Sequence, residues 1–199
     1  MIHDPTDFAS RLNVSRETLK KLQTYVDLVE SWQRKVNLIS SKTLVDIWPR
    51  HIWDSAQLAG FIDDDVDCIL DVGSGAGFPG LVLAMMCDAE VHLVESDQKK
   101  SIFLQTVIRE CQLRAVVHNA RIEKLQTLNA DIITARALAP VDRLLVLLEK
   151  QLDKSSRCLF LKGENVKAEL ACLDGREDIS VKLHPSLTNP DAFVLDLTP

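Results

Sequence analysis

The sequence of 199 residues has no long apolar run, no closely paired cysteines and no excess of basic residues. No segment approaches the roughly 18 consecutive apolar residues of a membrane-spanning helix, which argues against a membrane protein. The opening residues, MIHDPTDFASRLN, have neither a basic start nor an apolar stretch, so no signal peptide is predicted. We therefore expect a cytoplasmic protein without membrane contacts.

The five cysteines do not form a metal-binding pattern. No C-x-x-C pair is present, and the two that lie closest in sequence, Cys158 and Cys172, are still well separated. Cys68 and Cys158 lie within apolar runs, where a free thiol packs as a small apolar group. We expect reduced cysteines and no metal site.

The charge balance is acidic, with 23 Lys and Arg against 29 Asp and Glu, for a formal net charge of -6. Affinity for phosphate in general comes from an excess of basic residues, so broad nucleic-acid binding is not predicted. The negative excess lies in residues 61–199, whereas residues 1–60 are close to charge balance. Any RNA contact is therefore expected to be confined and strongly salt-sensitive.

The first region, residues 1–64, predicts a helical cap that belongs to the same compact unit as the rest. Ser15 is a suitable N-cap, and apolar residues then recur at helical spacing, at Leu19, Leu22, Val26 and Val29. A second helical stretch is expected to begin after Ser41, to be interrupted at Pro49 and to resume over residues 51–61.

The second region, residues 65–199, alternates short apolar runs with helical segments. The predicted strands are Cys68–Val72, Glu90–Glu95, Ala115–His118, Asp131–Ala135, Cys158–Lys162, Ile179–His184 and Ala192–Leu197, and the predicted helices are Gly80–Cys87, Lys99–Cys111, Val141–Leu152 and Val166–Leu173. This alternation predicts an α/β fold with a doubly wound, Rossmann-like and mostly parallel sheet. The last two strands are expected to pair antiparallel, because no helix fits between them.

A glycine-rich turn, DVGSGAGFPG at 71–80, follows the first strand and opens a helix. Gly73, Gly75 and Gly77 allow a sharp turn and close approach to a ligand, because no Cβ intervenes. Glu95 ends the next strand, where a carboxylate can accept both hydroxyls of a ribose. Together these features predict an adenosine-type ligand at the carboxyl ends of the strands.

The spacing of the glycines separates two kinds of adenosine cofactor. The dinucleotide fingerprint G-x-G-x-x-G would place its third glycine where this sequence has Phe78. An acidic residue followed by G-x-G-x-G, as at Asp71, is instead typical of S-adenosylmethionine enzymes. A nicotinamide-dependent oxidoreductase and a non-catalytic RNA-binding ribosome-assembly factor remain as alternatives.

Several further segments appear in a specific order, namely Asn37–Ser40, Arg50–Ser55, Asp71–Gly80, Glu95–Ser96, Lys99–Lys100, Phe103–Leu104, Ala135–Ala137 and Leu161–Gly163. This series resembles the RsmG (GidB) family of small-subunit ribosomal RNA methyltransferases. The resemblance implies a class I methyltransferase that uses S-adenosylmethionine to methylate N7 of one guanine in 16S ribosomal RNA. It also implies cofactor contacts at Gly73, Phe78, Ile122, Glu123 and Arg136.

The segment after the fourth predicted strand, Ala135–Pro140, favours a ring nitrogen as the methyl acceptor. It lacks the N/D-P-P-Y/F box of enzymes that methylate exocyclic amines, and it contains no cysteine for methylation at pyrimidine C5. Guanine N7 needs neither device, so we expect no catalytic residue beyond those that position the reactants. Arg136 could bind the methionyl carboxylate, an RNA phosphate or guanine O6.

The expected partner is 16S ribosomal RNA or the small ribosomal subunit, bound by a monomer. The candidate RNA contacts are basic residues of the cap and of the strand-end loops, namely Arg34, Lys35, Arg50, Lys99, Lys100, Arg136 and Lys162. His51 is expected to be a packed or capping histidine rather than a base. Asp54 is expected to pair with Arg50, four residues earlier on a helix. The three tryptophans, Trp32, Trp48 and Trp53, are expected to pack in the core.

Overall fold

The computed structural model describes residues 4–199. Residues 1–3, which belong to the predicted cap and to the opening segment in which no signal peptide is predicted, lie outside the described residues. A seven-stranded sheet has the order β3-β2-β1-β4-β5-β7-β6. Its strands are β1 (Cys68–Val72), β2 (Glu90–Val94), β3 (Ala115–His118), β4 (Ile132–Arg136), β5 (Arg157–Lys162), β6 (Ser180–Pro185) and β7 (Phe193–Thr198). All seven predicted strands are confirmed, with bounds that differ by one residue at most.

The pairing of the strands is as predicted. Strands β1 to β5 are parallel, whereas β7 pairs antiparallel with both β5 and β6. The carboxyl ends of the parallel strands therefore meet along one edge of the sheet, and the β6–β7 connection returns to that same edge because the two strands are antiparallel. A ligand site at this edge is the usual arrangement in an open α/β sheet.

The helices of the cap are α1 (Pro5–Leu12), α2 (Arg16–Gln33), α3 (Ser41–Leu44) and α4 (Asp54–Ala56). Ser15 caps α2 as predicted, since its hydroxyl accepts a hydrogen bond from the Thr18 amide at 3.0 Å. Helix α1 was not predicted. Asp4 caps it, and Phe8 on its inner face is fully buried against Trp48, with 5.6 Å between the ring centroids.

The interruption predicted at Pro49 is wrong. The helical path breaks after Leu44, and a π-helical segment, Trp48–Trp53, then runs through Pro49 and continues into α4 and a 3-10 helix, Gln57–Phe61. Proline is tolerated there because it lies in the first turn, where its missing amide hydrogen has no helical partner. The Arg50 amide continues the chain of hydrogen bonds by donating to the Asp46 carbonyl at 3.0 Å.

The helices between the strands are α5 (Gly80–Met86), α6 (Gln98–Cys111), α7 (Val141–Leu148) and α8 (Val166–Glu169), with 3-10 helices at Ile122–Lys124 and Leu170–Leu173. Each of the four predicted helices is present, although α7 ends four residues early and the last one tightens into 3-10 geometry. In the described residues, 4–199, no helix combines the length and the apolar character needed to cross a membrane.

The cap packs on one face of the sheet. A single cluster of buried residues joins Tyr25 and Ile52 of the cap to Ile69 of β1 and Phe103 of α6, and a second cluster on the other side includes Leu70. Successive residues of β1 thus face opposite clusters, as the pleat of a strand requires. The tryptophans pack as predicted, with Trp48 and Trp53 buried and Trp32 edge-on to the Phe103 ring. This packing brings the cap next to the glycine turn.

Candidate active site

The glycine turn after β1 is fastened to the end of β2 by Glu95. One carboxylate oxygen of Glu95 accepts a hydrogen bond from the Gly75 amide at 2.9 Å, and the other accepts from the Asp97 amide at 2.7 Å. Each carboxylate oxygen can accept two hydrogen bonds, so each retains capacity for one more. Glu95 is only 8% exposed, and Asn119 holds its backbone by donating to its carbonyl at 2.9 Å.

The glycines of the turn serve different purposes. Gly75 has a φ of +57°, and a Cβ there would meet no side chain, with only the Gly73 carbonyl oxygen nearby at 3.8 Å. Gly77 has a φ of +98° and faces inward, where a Cβ would overlap the Leu81 side chain. Gly75 therefore leaves room for a ligand, whereas Gly77 permits close packing against the protein. Gly73 is similarly tight, because a Cβ would lie 2.7 Å from Leu138 in the turn after β4.

The cap supports this turn directly through Tyr25. The fully buried hydroxyl of Tyr25 in α2 donates a hydrogen bond to the Ala76 carbonyl at 2.6 Å. Burial raises the pKa of Tyr25 well above its usual value of 10, so the hydroxyl keeps its proton. Its ring also lies 5.1 Å from that of Phe78, so the cap fixes the turn by both a hydrogen bond and aromatic packing.

Asp71 lies beneath the turn and is fully buried. Its Oδ1 accepts a hydrogen bond from Thr134 at 2.9 Å, while Oδ2 lies against Gly80 without a hydrogen-bond partner among the described residues. Burial raises the pKa of Asp71 to about 6, against the opposing effects of its hydrogen bonds and of Arg136. The acidic residue of the sequence motif thus supports the turn from below.

The residues predicted to hold S-adenosylmethionine fit an adenosine at this edge of the sheet. The Glu95 carboxylate binds the uncrowded Gly75 through its amide and keeps acceptor capacity on both oxygens, which suits the two hydroxyls of a ribose. Ile122 and Glu123 begin the 3-10 helix after β3, the strand next to β2, and are buried and exposed, respectively. The Phe78 side chain, by contrast, packs inward against the cap, so a contact from Phe78 would come from its backbone.

A cavity of about 640 Å³ lies at the carboxyl ends of β4 and β5, and one of its lining residues, Arg136, contacts Phe78 of the glycine turn. Its walls come from three parts of the chain, namely residues 43–54 of the cap, the strand ends at 136–137 and 161–163, and the β6–β7 connection at 186–193. Sequence reasoning did not predict this cavity, because the β6–β7 connection reaches it only through the order of the strands.

Arg136 is the residue that links the cavity to the glycine turn. Its Nη2 donates a hydrogen bond to Nδ1 of His51 at 2.7 Å, and its Cζ lies 5.0 Å from the centre of the Phe78 ring. Because a guanidinium only donates, His51 must accept through Nδ1 and carry its proton on Nε2, which lies 3.0 Å from the Thr43 hydroxyl. Burial, followed by the charges of Arg136 and Arg50, lowers the pKa of His51 to about 3.

The pairing predicted between Asp54 and Arg50 is wrong. The π-helical segment changes the register of this stretch, so that Arg50 lies 3.9 Å from Asp46 and the Oδ2 of Asp54 lies 3.5 Å from Arg136. The Oδ1 of Asp54 instead accepts hydrogen bonds from Gln57 and from Thr188 of the β6–β7 connection, at 2.9 and 2.8 Å. Asp54 therefore joins the cap to the far end of the sheet.

The structure brings together three of the predicted RNA contacts. Arg50, Arg136 and Lys162 all line the cavity. Arg50 is exposed, whereas the Lys162 side chain is 9% exposed, forms an ion pair with Glu169 and donates to the Ala139 carbonyl at 2.9 Å. The remaining candidates lie apart from the cavity lining, with Arg34 and Lys35 exposed after α2 and Lys99 and Lys100 in the first turn of α6.

Two polar residues of the site were missed by sequence reasoning. Gln57 accepts a hydrogen bond from the Leu187 amide at 2.9 Å and donates to the Ser186 hydroxyl at 3.2 Å, while Thr188 binds Asp54. The sequence offers one hint, a glutamine shortly after an acidic residue in a predicted helical stretch. It gives no indication that residues 130 positions apart meet. Within residues 4–199, no group of three or more potential metal ligands is present.

Comparison with known proteins agrees with this geometry. The GidB family model, described as rRNA small subunit methyltransferase G, matches residues 18–189. Proteins named ribosomal RNA small subunit methyltransferase G are 46% identical in Paramagnetospirillum magneticum, with 97% of this chain and 94% of that protein covered, and 45% identical in Cereibacter sphaeroides, with 99% and 97% covered.

A solved structure shares the fold at low sequence identity. TYW2 of M. jannaschii in complex with AdoMet superimposes with a TM-score of 0.59 and 13% identity, over 82% of this chain and 77% of that one. The likeness shows that the two chains share a fold. From the family model and the closely similar full-length relatives, the chain belongs to the rRNA small subunit methyltransferase G family.

Proposed function

We propose that the chain transfers the methyl group of S-adenosylmethionine to N7 of one guanine in 16S ribosomal RNA of the small ribosomal subunit. By family it is a ribosomal RNA methyltransferase, and its fold is that of enzymes that use this cofactor. When bound, the cofactor supplies a methyl group on a positively charged sulfur, which keeps the S–C electron pair as the N7 lone pair forms the new N–C bond. Glu95 and the open side of Gly75 would hold the ribose.

The hydrogen bond between Arg136 and His51 supports guanine N7 as the methyl acceptor, because it leaves the site without a histidine base. Histidine is the most frequent general base near neutral pH. Here its Nδ1 lone pair already accepts from Arg136, and its low pKa of about 3 makes it a very weak base. Guanine N7 has a lone pair and no proton, so its methylation requires no base.

The cysteines support the same choice. Methylation at pyrimidine C5 needs a nucleophilic thiolate beside the acceptor. Burial raises the pKa of Cys87 and Cys111 to about 11 and that of Cys158 to about 12, and no cysteine belongs to the described lining of the cavity. Positioning of N7 against the methyl group is then the main source of acceleration.

We further propose that the protein acts as a monomer in the cytoplasm, on 16S RNA either free or within the small subunit. The exposed Arg50 gives the cavity a local positive charge on a chain of net charge -6, and Arg34, Lys35, Lys99 and Lys100 are further candidate contacts outside the cavity lining. Such a local charge suits one folded RNA site better than phosphate binding along an entire strand.

Methyl transfer to purified substrates tests the proposal. Small subunits and free 16S RNA from cells lacking the enzyme would be incubated with the protein and S-adenosylmethionine, digested to nucleosides and analysed by mass spectrometry. We expect 7-methylguanosine from at least one of the two substrates, and its absence from both would contradict the proposal. Gly75→Val should abolish the product, because a side chain would fill the open side of the turn at a φ of +57°, whereas Gly60→Val, in open space, should retain it.

A further inference from the structure

Two oppositely charged groups face each other across the inner wall of the cavity without a good hydrogen bond. Nη1 of Arg136 lies 3.5 Å from Oδ2 of Asp54, and both side chains are 18% exposed. This separation exceeds the usual 2.7–2.9 Å of a strong bond between a guanidinium and a carboxylate. Among the described residues, Arg136 keeps Nε and one N–H of Nη2 as unused donors, and the Oδ2 atom of Asp54 can accept a second hydrogen bond, so each group can still bind a ligand in the cavity.

The neighbouring contacts hold both groups in place. His51 accepts from Nη2 of Arg136, the Arg50 carbonyl accepts from Nη1 at 3.3 Å, and Phe78 packs under the guanidinium. On the other side, Gln57 and Thr188 use the accepting capacity of Oδ1 of Asp54, whereas Oδ2 has only its long contact with Nη1 of Arg136 among the described residues. The pair is thus pre-arranged rather than mobile, as a recognition element should be.

We propose that the cavity receives the target guanine, flipped out of the RNA, with Arg136 donating to guanine O6 and Asp54 accepting from guanine N1–H and N2–H. This inference rests on the proposed function and assigns base recognition within it. A cavity of about 640 Å³ is of the size that holds a small molecule, roughly 300–1,000 Å³. Enzymes that modify a base commonly take it out of its stack into such a pocket.

The order of donor and acceptor selects guanine over adenine. Guanine presents the acceptor O6 beside the donor N1–H, which complements Arg136 beside Asp54. Adenine presents a donor, its amino group, beside the acceptor N1, so both contacts would be repulsive. The recognised edge also lies away from N7, and the lone pair of N7 therefore stays free for the methyl group.

The acidic member of the pair argues against an RNA phosphate as the occupant. A phosphate beside Arg136 would place its negative charge next to the Asp54 carboxylate, and like charges at this distance repel. Apolar residues of the lining, Leu161 and Phe193, suit the faces of a base rather than a phosphate.

Two isosteric variants distinguish base reading from a structural role. Asp54→Asn keeps an oxygen for Gln57 and Thr188 but replaces the acceptor Oδ2 with a donor amide. Thr188→Val instead removes a hydroxyl that bonds Asp54 and Ser186, and so tests the support of Asp54 alone. We expect Asp54→Asn to lower kcat/KM for the RNA substrate by about 10- to 100-fold, because a donor of the base would be left unpaired. Thr188→Val should lower kcat/KM by less. Affinity for S-adenosylmethionine and the melting temperature should stay close to wild type.

The control is Asp88→Asn, the same chemical change at an exposed position before the amino end of β2, on the opposite edge of the sheet. It should leave kcat/KM unchanged. Wild-type kcat/KM in Asp54→Asn, or a loss in Asp54→Asn matched by lost cofactor affinity or a lowered melting temperature, would overturn the assignment. The proposed function fails separately, if the wild-type protein forms no 7-methylguanosine.

Discussion

The guanidinium of Arg136, at the end of β4, donates a hydrogen bond at 2.7 Å to Nδ1 of His51, a residue 85 positions earlier in the cap. The same guanidinium stacks on Phe78 of the glycine turn and lies 3.5 Å from the Asp54 carboxylate on the wall of the cavity. One side chain therefore connects the cap, the cofactor turn and the cavity. The cap is in this sense part of the active site, and changes in it are expected to alter methyl transfer.

His51 is expected to act as a neutral hydrogen-bond acceptor at every pH at which the enzyme works. Burial lowers its pKa to about 3, so the ring becomes protonated only in strong acid, and protonation would break the bond from Arg136. The rate of methyl transfer between pH 5.5 and 8 should accordingly show no inflection from His51. His51→Asn, which keeps an acceptor near Nδ1, should retain more activity than His51→Leu. A rate that falls with a pKa near 6.5, and that loses this dependence in His51→Asn, would contradict this account.

Glu95→Ala is expected to weaken S-adenosylmethionine binding by about tenfold or more, because the ribose loses its charged acceptor and the turn loses its anchor at Gly75. Titration calorimetry measures the affinity. The matched control is Glu90→Ala, at the amino end of the same strand and away from the site. Equal affinities for wild type and Glu95→Ala would remove the ribose assignment.

Tyr25→Phe is expected to lower the free energy of unfolding by about 1–3 kcal/mol, because the buried Ala76 carbonyl loses its partner. Urea unfolding measures this change. Thr24→Val, which removes the hydroxyl of an exposed neighbour that bonds only to the Lys20 carbonyl of its own helix, serves as the control and should have little effect. If the two variants were equally stable, the cap would not be supporting the turn through Tyr25.

Asp71 is expected to make the fold less stable as the pH rises from about 4 to about 6. Its pKa is raised from 3.8 to about 6 in the folded protein, so in this range the folded state binds more protons than the unfolded state and stability falls with pH. Asp71→Asn removes this contribution. The free energy of unfolding of Asp71→Asn relative to wild type should therefore increase between pH 4 and pH 7, and a difference independent of pH would contradict the raised pKa.

The parts of the fold that local patterns determine were predictable. The strands are short runs that are mostly apolar or, in β6, alternate between polar and apolar residues, and β1 with its glycine turn carries its own signature at Asp71–Gly80. Helix α1 was missed because only Phe8 and Leu12 anchor it, and one i, i+4 pair is too little for a periodic pattern. The break assigned to Pro49 was wrong because proline is compatible with a first helical turn, a position that only the preceding residues determine.

The site was predictable on the cofactor side and not on the cavity side. The glycines and Glu95 lie within one β-α-β unit, so their spacing alone brings them together. Asp54 and Thr188 meet only because β7 lies between β5 and β6 in the sheet, which returns the β6–β7 connection to the active edge. Neither the type of these two residues nor their local sequence predicts that contact.

The nucleoside content of small-subunit RNA from living cells tests the central claim most directly. RNA would be isolated from a strain in which the gene is deleted, and from the same strain carrying either the wild-type gene or Gly75→Val. The account predicts that one 7-methylguanosine per 16S RNA disappears on deletion and returns with the wild-type gene but not with the variant. An unchanged content of 7-methylguanosine after deletion would contradict it.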